Sequence, residues 1–243
     1  MTSPVLQGGY AFYGVQIGIV LLDASFPRPV GDVANALTYP FPVLYEVVSG
    51  ASPRRVVEQA AAGLLEPFVV AVRQLHARGV RGIATCCGFL AIYQRELAAT
   101  VPVPVATSSL LQIPQVLRTL GPENKVGVLT INGSTLDDRH FDGVGISCEE
   151  RERLTIVGLE QTEHLYPVII GGGRELDVAR AQAEVVQVAK EAVAVDPAIT
   201  AFVFECTNLP PYAAAVQRAT GCPVFDAVTL IRWLHNAVQQ HTY

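Results

Sequence analysis

The stretch GIATCCGFLAIY, residues 82–93, decides the fold, because a short apolar strand runs into two adjacent cysteines and then into a segment of helical character. A second stretch, ITAFVFECTNLPPY at residues 199–212, repeats this plan of strand, cysteine and helix. Cys87 in the first stretch is therefore equivalent to Cys206 in the second. Such a match indicates an internal repeat of one structural unit.

The match continues on both sides of the cysteines. The offset that aligns them also places Pro104-Val105 on Pro223-Val224. Earlier in each half, IGIVLLDAS at 17–25 aligns with VGVLTINGS at 126–134. We therefore expect two similar α/β lobes related by a pseudo-twofold axis, with the site in the cleft between them.

Short apolar runs alternate with longer helical segments along the whole chain, which predicts mostly parallel sheets flanked by helices. The Val/Ile-rich strands indicate cover on both faces. We place the first lobe at residues 1–120 and the second at 121–224, with the boundary near Gly121-Pro122. The remaining segment, 225–243, is expected to pack back on the first lobe.

The composition favours an ordered protein that acts on a small molecule. The 243 residues are 50% hydrophobic and carry a net charge of −5, without a long basic run. This charge does not favour nucleic acid or an anionic membrane as a partner. The start lacks a basic region before its apolar part, so we expect no signal peptide, no membrane-spanning helix and a cytoplasmic location.

The five cysteines are irregularly spaced, without a CxxC pair, which argues against a disulfide framework and a zinc ribbon. The histidines show no ligand spacing, so no metal site is expected. Only Lys125 and Lys190 could hold pyridoxal phosphate, and both lie in polar segments. We therefore predict chemistry without a cofactor.

Two thiols facing each other across a cleft suit proton transfer at carbon. A thiol has an ordinary pKa of about 8.5, and helix N-terminal N–H groups lower it toward neutral pH. One thiolate can remove a proton beside a carboxylate while the other thiol returns one from the opposite face. The long loop after the first strand adds Arg28, Asp32 and Asn35 as candidates for a second substrate contact.

The motifs TCCGFLA and ECTNLPPY, in equivalent positions of two α/β halves, resemble the aspartate/glutamate racemase superfamily over nearly the whole chain. The resemblance implies that Cys87 and Cys206 are catalytic, that no cofactor is needed and that a homodimer forms. It also implies substrate contacts for a set of polar and neighbouring residues: Asp23, Gly88, Phe89, Thr130, Asn132, Thr207 and Asn208.

Three departures from glutamate racemases touch their substrate contacts. Ala24 interrupts the Asp-Ser-Gly motif, Gly88-Phe89 replace Asn-Thr, and Asn208 replaces a histidine. The resemblance thus implies an isomerase, a racemase or epimerase of a small Asp- or Glu-like amino acid, without fixing the substrate. The alternatives are a hydantoin or allantoin racemase, a carbanion-forming decarboxylase or isomerase, and a ligand-binding regulatory protein.

Overall fold

The computed structural model describes residues 8–240, which form two four-stranded parallel sheets flanked by helices. The predicted fold class is confirmed. Residues 1–7 of the predicted first lobe and 241–243 of the predicted C-terminal segment lie outside the described residues. The strands, in chain order, are β1 Ile17–Leu22, β2 Val43–Val48, β3 Gly82–Thr85, β4 Val105–Ala106, β5 Lys125–Thr130, β6 Leu154–Gly158, β7 Ile199–Phe204 and β8 Val224–Phe225.

The two sheets have the same topology, which explains the sequence repeat. The first has the order β2-β1-β3-β4 and the second β6-β5-β7-β8. The central strands are fully covered, as their Val/Ile-rich runs predict, because helices lie on both faces. Ile19 in β1 and Val128 in β5, for example, are both 0% exposed.

Ten α-helices in the described part of the chain surround the sheets. They are α1 Pro53–Val57, α2 Leu65–Ala77, α3 Gln94–Ala98, α4 Ile113–Thr119, α5 Asp138–Gly143, α6 Cys148–Arg151, α7 Leu165–Gly171, α8 Val178–Val195, α9 Ala213–Thr220 and α10 Ala227–Val238. Four short 3-10 helices, Ala36–Thr38, Gly88–Tyr93, Ser109–Gln112 and Pro210–Tyr212, join some of these elements. None of the described helices is both long and apolar enough to cross a membrane.

The topology puts the cysteines at the crevice where open α/β sheets bind ligands, beyond the carboxyl ends of the strands. Cys87 lies just past β3 and Cys206 just past β7, the equivalent strands of the two sheets. Each is followed by a 3-10 helix that leads into an α-helix. The repeat therefore supplies two equivalent strand ends to one crevice.

Helix α10 follows the last strand of the second sheet and lies against β3 of the first. Its Leu234 sits so close to Gly82 that a Cβ there would lie 3.0 Å from the leucine Cγ. The limits of the lobes stay a prediction.

Candidate active site

The ends of β3 and β7 border a narrow cavity of about 20 Å³, which has room for about one water molecule. Cys87 and Cys206 both line it and are 8% and 5% exposed. Helix α1 and helix α7, one from each side, complete the wall with Val57 and Ile169. A substrate larger than a water molecule therefore enters only when part of this wall moves.

Cys87 is the N-cap of the 3-10 helix Gly88–Tyr93. Burial raises the pKa of its thiol well above the ordinary value, and the neighbouring Glu205 carboxyl raises it further. The backbone N–H of Phe89 acts in the opposite direction. The expected helix N-terminal donor is thus present, but its effect on the thiol pKa does not outweigh that of burial.

Cys206 is held on the other side by the turn that follows β7. Burial, followed by the Glu205 carboxyl, raises the pKa of its thiol well above the ordinary value. The backbone N–H of Asn208 favours the thiolate, whereas the charges of Asp32 and Arg28 act on it in opposite directions, that of Asp32 the more strongly. Of the two thiols, Cys206 is therefore the one that lies near the Arg28–Asp32 ion pair.

Arg28, in the loop between β1 and β2, is the only basic side chain among the described residues that line the cavity. Its guanidinium donates to Asp32 at 3.0 Å and stacks 4.4 Å from the centre of the Phe26 ring. Burial disfavours its charge, but Cys86 and Asp32 outweigh this effect and raise its pKa. A fixed positive charge therefore faces the thiols.

Glu205, which directly precedes Cys206, is 0% exposed and lines the same cavity. Burial raises its pKa to about 8, although a hydrogen bond from the Thr130 hydroxyl, at 2.7 Å, opposes the shift. At neutral pH its carboxyl is therefore mostly protonated in the empty site.

Polar contacts join the two halves around the cavity. The Thr207 hydroxyl donates to the carbonyl oxygen of Cys86 at 2.5 Å. The Asn208 amide donates to Asp32 at 2.7 Å and so ties the loop that carries Arg28 to the Cys206 turn. Cys86 faces the cavity too, and its sulfur accepts the backbone N–H of Leu22 at 3.1 Å.

The structure brings four of the seven predicted substrate-binding residues to the cavity wall, and these are Gly88, Phe89, Thr207 and Asn208. The other three do not line it. Thr130 lies behind Glu205, and Asn132 donates to the Tyr166 hydroxyl at 3.0 Å. Asp23 is exposed and accepts the backbone N–H of Gly50 at 2.9 Å, because its strand end points to a neighbouring surface pocket.

Sequence reasoning missed Glu205. The available signal for Glu205 was its position: a lone acid at the end of an otherwise apolar strand, next to the cysteine of interest. Within residues 8–240, no group of three or more His, Cys, Asp or Glu side chains is arranged to hold a metal ion.

This architecture, with two facing thiols at equivalent strand ends, is the fold of the aspartate/glutamate racemase superfamily, as the motifs imply. Allantoin racemase from Klebsiella pneumoniae superposes with a TM-score of 0.62 at 14% identity, covering 92% of this chain and 87% of that one. Arylmalonate decarboxylase superposes with a TM-score of 0.58 at 16% identity, covering 94% of each chain. At these identities the likeness establishes the fold alone.

Sequence comparison identifies the family, although no family model matches the chain. The dimethylsulfoniopropionate lyase of Durusdinium sp. clade D is 31% identical over 221 residues, 87% of this chain and 71% of that protein. Dimethylsulfoniopropionate lyase 7 of Emiliania huxleyi (strain CCMP1516) is 36% identical over 222 residues, 88% of this chain and 64% of that protein. The chain belongs to the dimethylsulfoniopropionate lyase family, and it spans less than two thirds of the Emiliania protein.

This finding overturns the predicted reaction. The expectation of an isomerase that racemises or epimerises an Asp- or Glu-like amino acid is wrong, because the curated relatives are lyases. The physical reason is that racemases and lyases of this kind can begin with the same step, removal of a proton beside a carboxylate. The second step depends on a leaving group on the next carbon, which belongs to the substrate and leaves no mark on the cysteine motifs.

Proposed function

We propose that this chain is a lyase that splits dimethylsulfoniopropionate into dimethyl sulfide and acrylate. The observation that carries the proposal is its 31% identity to a dimethylsulfoniopropionate lyase across 71% of that protein. The site supports it, since two thiols and a buried arginine border one cavity. These groups suit a small carboxylate with an acidic C–H bond.

The reaction we propose is a β-elimination with Cys206 as the base. Its thiolate removes a proton from the carbon next to the carboxylate, and the electron pair of that C–H bond moves onto the carboxylate to form an enediolate. In the second step this electron pair returns to form the carbon–carbon double bond, and the bond from the neighbouring carbon to sulfur breaks, so that dimethyl sulfide leaves with the bonding electrons. The proton stays on Cys206 until it passes to water, which restores the thiolate.

Arg28 is the proposed partner of the substrate carboxylate. Negative charge moves onto that carboxylate as the proton leaves, and a fixed guanidinium in a closed site stabilises such charge. Its ion pair with Asp32 holds the guanidinium next to Cys206, although the Asp32 charge opposes the effect of Arg28 on that thiol. A carboxylate bound at Arg28 would therefore lie beside the proposed base.

Elimination needs one base, whereas inversion needs two. The argument that two cysteines favour a two-base reaction therefore does not apply to a lyase, and Cys87 takes no proton in this proposal. Its buried thiol lies beside Cys206 and Glu205, where it contributes to the shape of the substrate pocket. The free state of all five cysteines, each within the described residues, supports the expected cytoplasmic, reducing location.

The test is direct. Purified protein is incubated with dimethylsulfoniopropionate, acrylate is followed by proton NMR, and dimethyl sulfide is measured by gas chromatography. We expect equal amounts of the two products from the wild type and much less of both from the folded Cys206→Ser variant, which lacks the proposed base. Absence of both products with folded, unmodified protein would contradict the proposal.

A further inference from the structure

One oxygen of the buried Glu205 carboxyl has no hydrogen-bond partner among the described residues. Oε2 accepts the Thr130 hydroxyl, but Oε1 is fully buried and unpaired. Leaving a buried polar atom unpaired has a free-energy cost of about 1–3 kcal/mol. Because Glu205 also lines the cavity, a ligand bound there is a candidate partner for this oxygen.

The charges around the cavity are arranged in a complementary way. Arg28 is the one basic and Glu205 the one acidic side chain among its described lining residues. Arg28 and its ion-pair partner Asp32 both act on Cys86 and Cys206, and Glu205 acts on Cys87 and Cys206. Cys206 thus lies between the Arg28 side and the Glu205 side of the cavity.

This arrangement fits a substrate with two opposite charges. A zwitterion whose carboxylate lies at Arg28 and whose cation lies at Glu205 would present the carbons between them to Cys206. We propose that Oε1 of Glu205 binds the sulfonium group of the substrate. The identity of this cation rests on the proposed function. Glu205 thereby makes the site selective for cationic over uncharged propionates.

Binding of the cation is then coupled to loss of a proton. The pKa of Glu205 is about 8 in the empty cavity, so its carboxyl is mostly protonated at pH 7. A sulfonium beside it favours the carboxylate, and the proton leaves as the cation binds. The other titratable or charged groups here are Cys87 and Cys206 beside Glu205, then Cys86, which acts on Cys87, and the Arg28–Asp32 ion pair, whose two charges act on Cys206 in opposite directions.

Two ligands of the same shape separate charge from fit. Dimethylsulfonioacetate carries the sulfonium but has no second carbon from which elimination could occur, so its binding is measured without turnover. In 3-methylbutanoate, a CH group replaces the sulfonium sulfur and the charge is absent. Both are titrated calorimetrically at pH 7 in two buffers of different protonation enthalpy, which reports the protons released.

The variants are Glu205→Gln, which keeps the size and an oxygen for the Thr130 hydroxyl, and Glu163→Gln as the charge-matched control. The Glu163 side chain is 85% exposed and pairs with Arg180. For Glu205→Gln we expect affinity for the sulfonium ligand to fall at least roughly tenfold. Affinity for 3-methylbutanoate should be unchanged or higher, and proton release on sulfonium binding should disappear. Glu163→Gln should match the wild type in each measurement.

Equal weakening of both ligands in Glu205→Gln would overturn the inference, because a structural role would not distinguish their charges. Proton release that persists in this variant would overturn it as well, since the proton would come from a thiol. If the wild type selects and deprotonates as described but forms no acrylate, the cation site stands and the proposed lyase activity fails. If the wild type forms acrylate but shows no preference for the sulfonium ligand, the proposed lyase activity stands and the cation site at Glu205 fails.

Discussion

At the scale of single residues, the two cysteines are equivalent in sequence but differ in electrostatic environment. Burial and Glu205 raise both thiol pKa values, yet the charges of the Arg28–Asp32 ion pair influence only Cys206 of the two. A repeat therefore provides two copies of a strand end, and the surrounding loops make them unequal. This asymmetry is the basis for assigning the base.

We expect Cys206→Ser to lower acrylate formation by about a hundredfold or more, because a serine hydroxyl does not ionise near neutral pH. Cys87→Ser should retain activity within about tenfold, since elimination needs one base. Steady-state rates for both variants, with circular dichroism to check folding, provide the measurement. The reverse order of activities would move the role of base to Cys87.

Gly88 permits the close approach of the two halves at the cavity. A Cβ at this position would collide with both the carbonyl oxygen and Oε1 of Glu205. We therefore expect Gly88→Ala to displace the Glu205 carboxyl, destabilise the protein by about 1–3 kcal/mol and reduce activity more than tenfold. Thermal unfolding and turnover of the variant test this expectation. If both match the wild type, Gly88 and Glu205 lie farther apart than described.

At the scale of elements, the loop between β1 and β2 acts as one wall of the site. Asp32 connects it internally to Arg28 and externally to Asn208. Gly31 lies directly against Pro211, with a φ of +105°, and a Cβ there would be 2.8 Å from the proline Cα. This contact positions the loop, and with it the guanidinium, over the thiols.

Gly31→Ala should move the loop away from the Cys206 turn and lower kcat/KM for dimethylsulfoniopropionate by at least roughly tenfold. Gly145→Ala is the matched control, because Gly145 has a φ of +76° but no atom near the added Cβ. Both substitutions put an L-residue at positive φ, with backbone strain of about 1–2 kcal/mol, but only Gly31→Ala adds a collision with the Cys206 turn and should affect catalysis. Equal activity of the two variants would mean that the contact between Gly31 and Pro211 is not needed for catalysis.

At the scale of the whole molecule, Glu205 links folding stability to pH. Its pKa is raised from 4.5 to about 8 on folding, so between these values the folded state binds more protons than the unfolded state. The stabilisation from this proton is fully present below about pH 4.5 and is lost as the pH rises to about 8. Above that value the contribution no longer changes.

We expect the free energy of unfolding of the wild type to fall relative to that of Glu205→Gln by up to about 1.4 kcal/mol per pH unit between pH 5 and 8. Urea unfolding of both proteins across this range gives the difference directly, because all other titrating groups are shared. A constant difference would mean that Glu205 is already ionised in the folded protein.

Much of the molecule was encoded in local patterns. The alternation of apolar runs and helical segments, with the repeated offset, predicted two parallel α/β lobes and put both cysteines at equivalent strand ends. Such features are readable because burial on both faces forces apolar strands, and a duplicated unit repeats its spacing. The reaction was not readable, since it depends on a leaving group of the substrate.

Only the tertiary structure decided which polar groups meet the thiols. Thr130 and Asp23 end equally apolar strands, yet one supports Glu205 from behind and the other faces a surface pocket. Arg28 reaches the site through a loop remote in sequence from Cys206. The sequence determined the scaffold and the thiols, because these follow from local periodicity and repetition. The charges that define the ligand depend on long-range packing of loops and strand ends, which local periodicity does not encode.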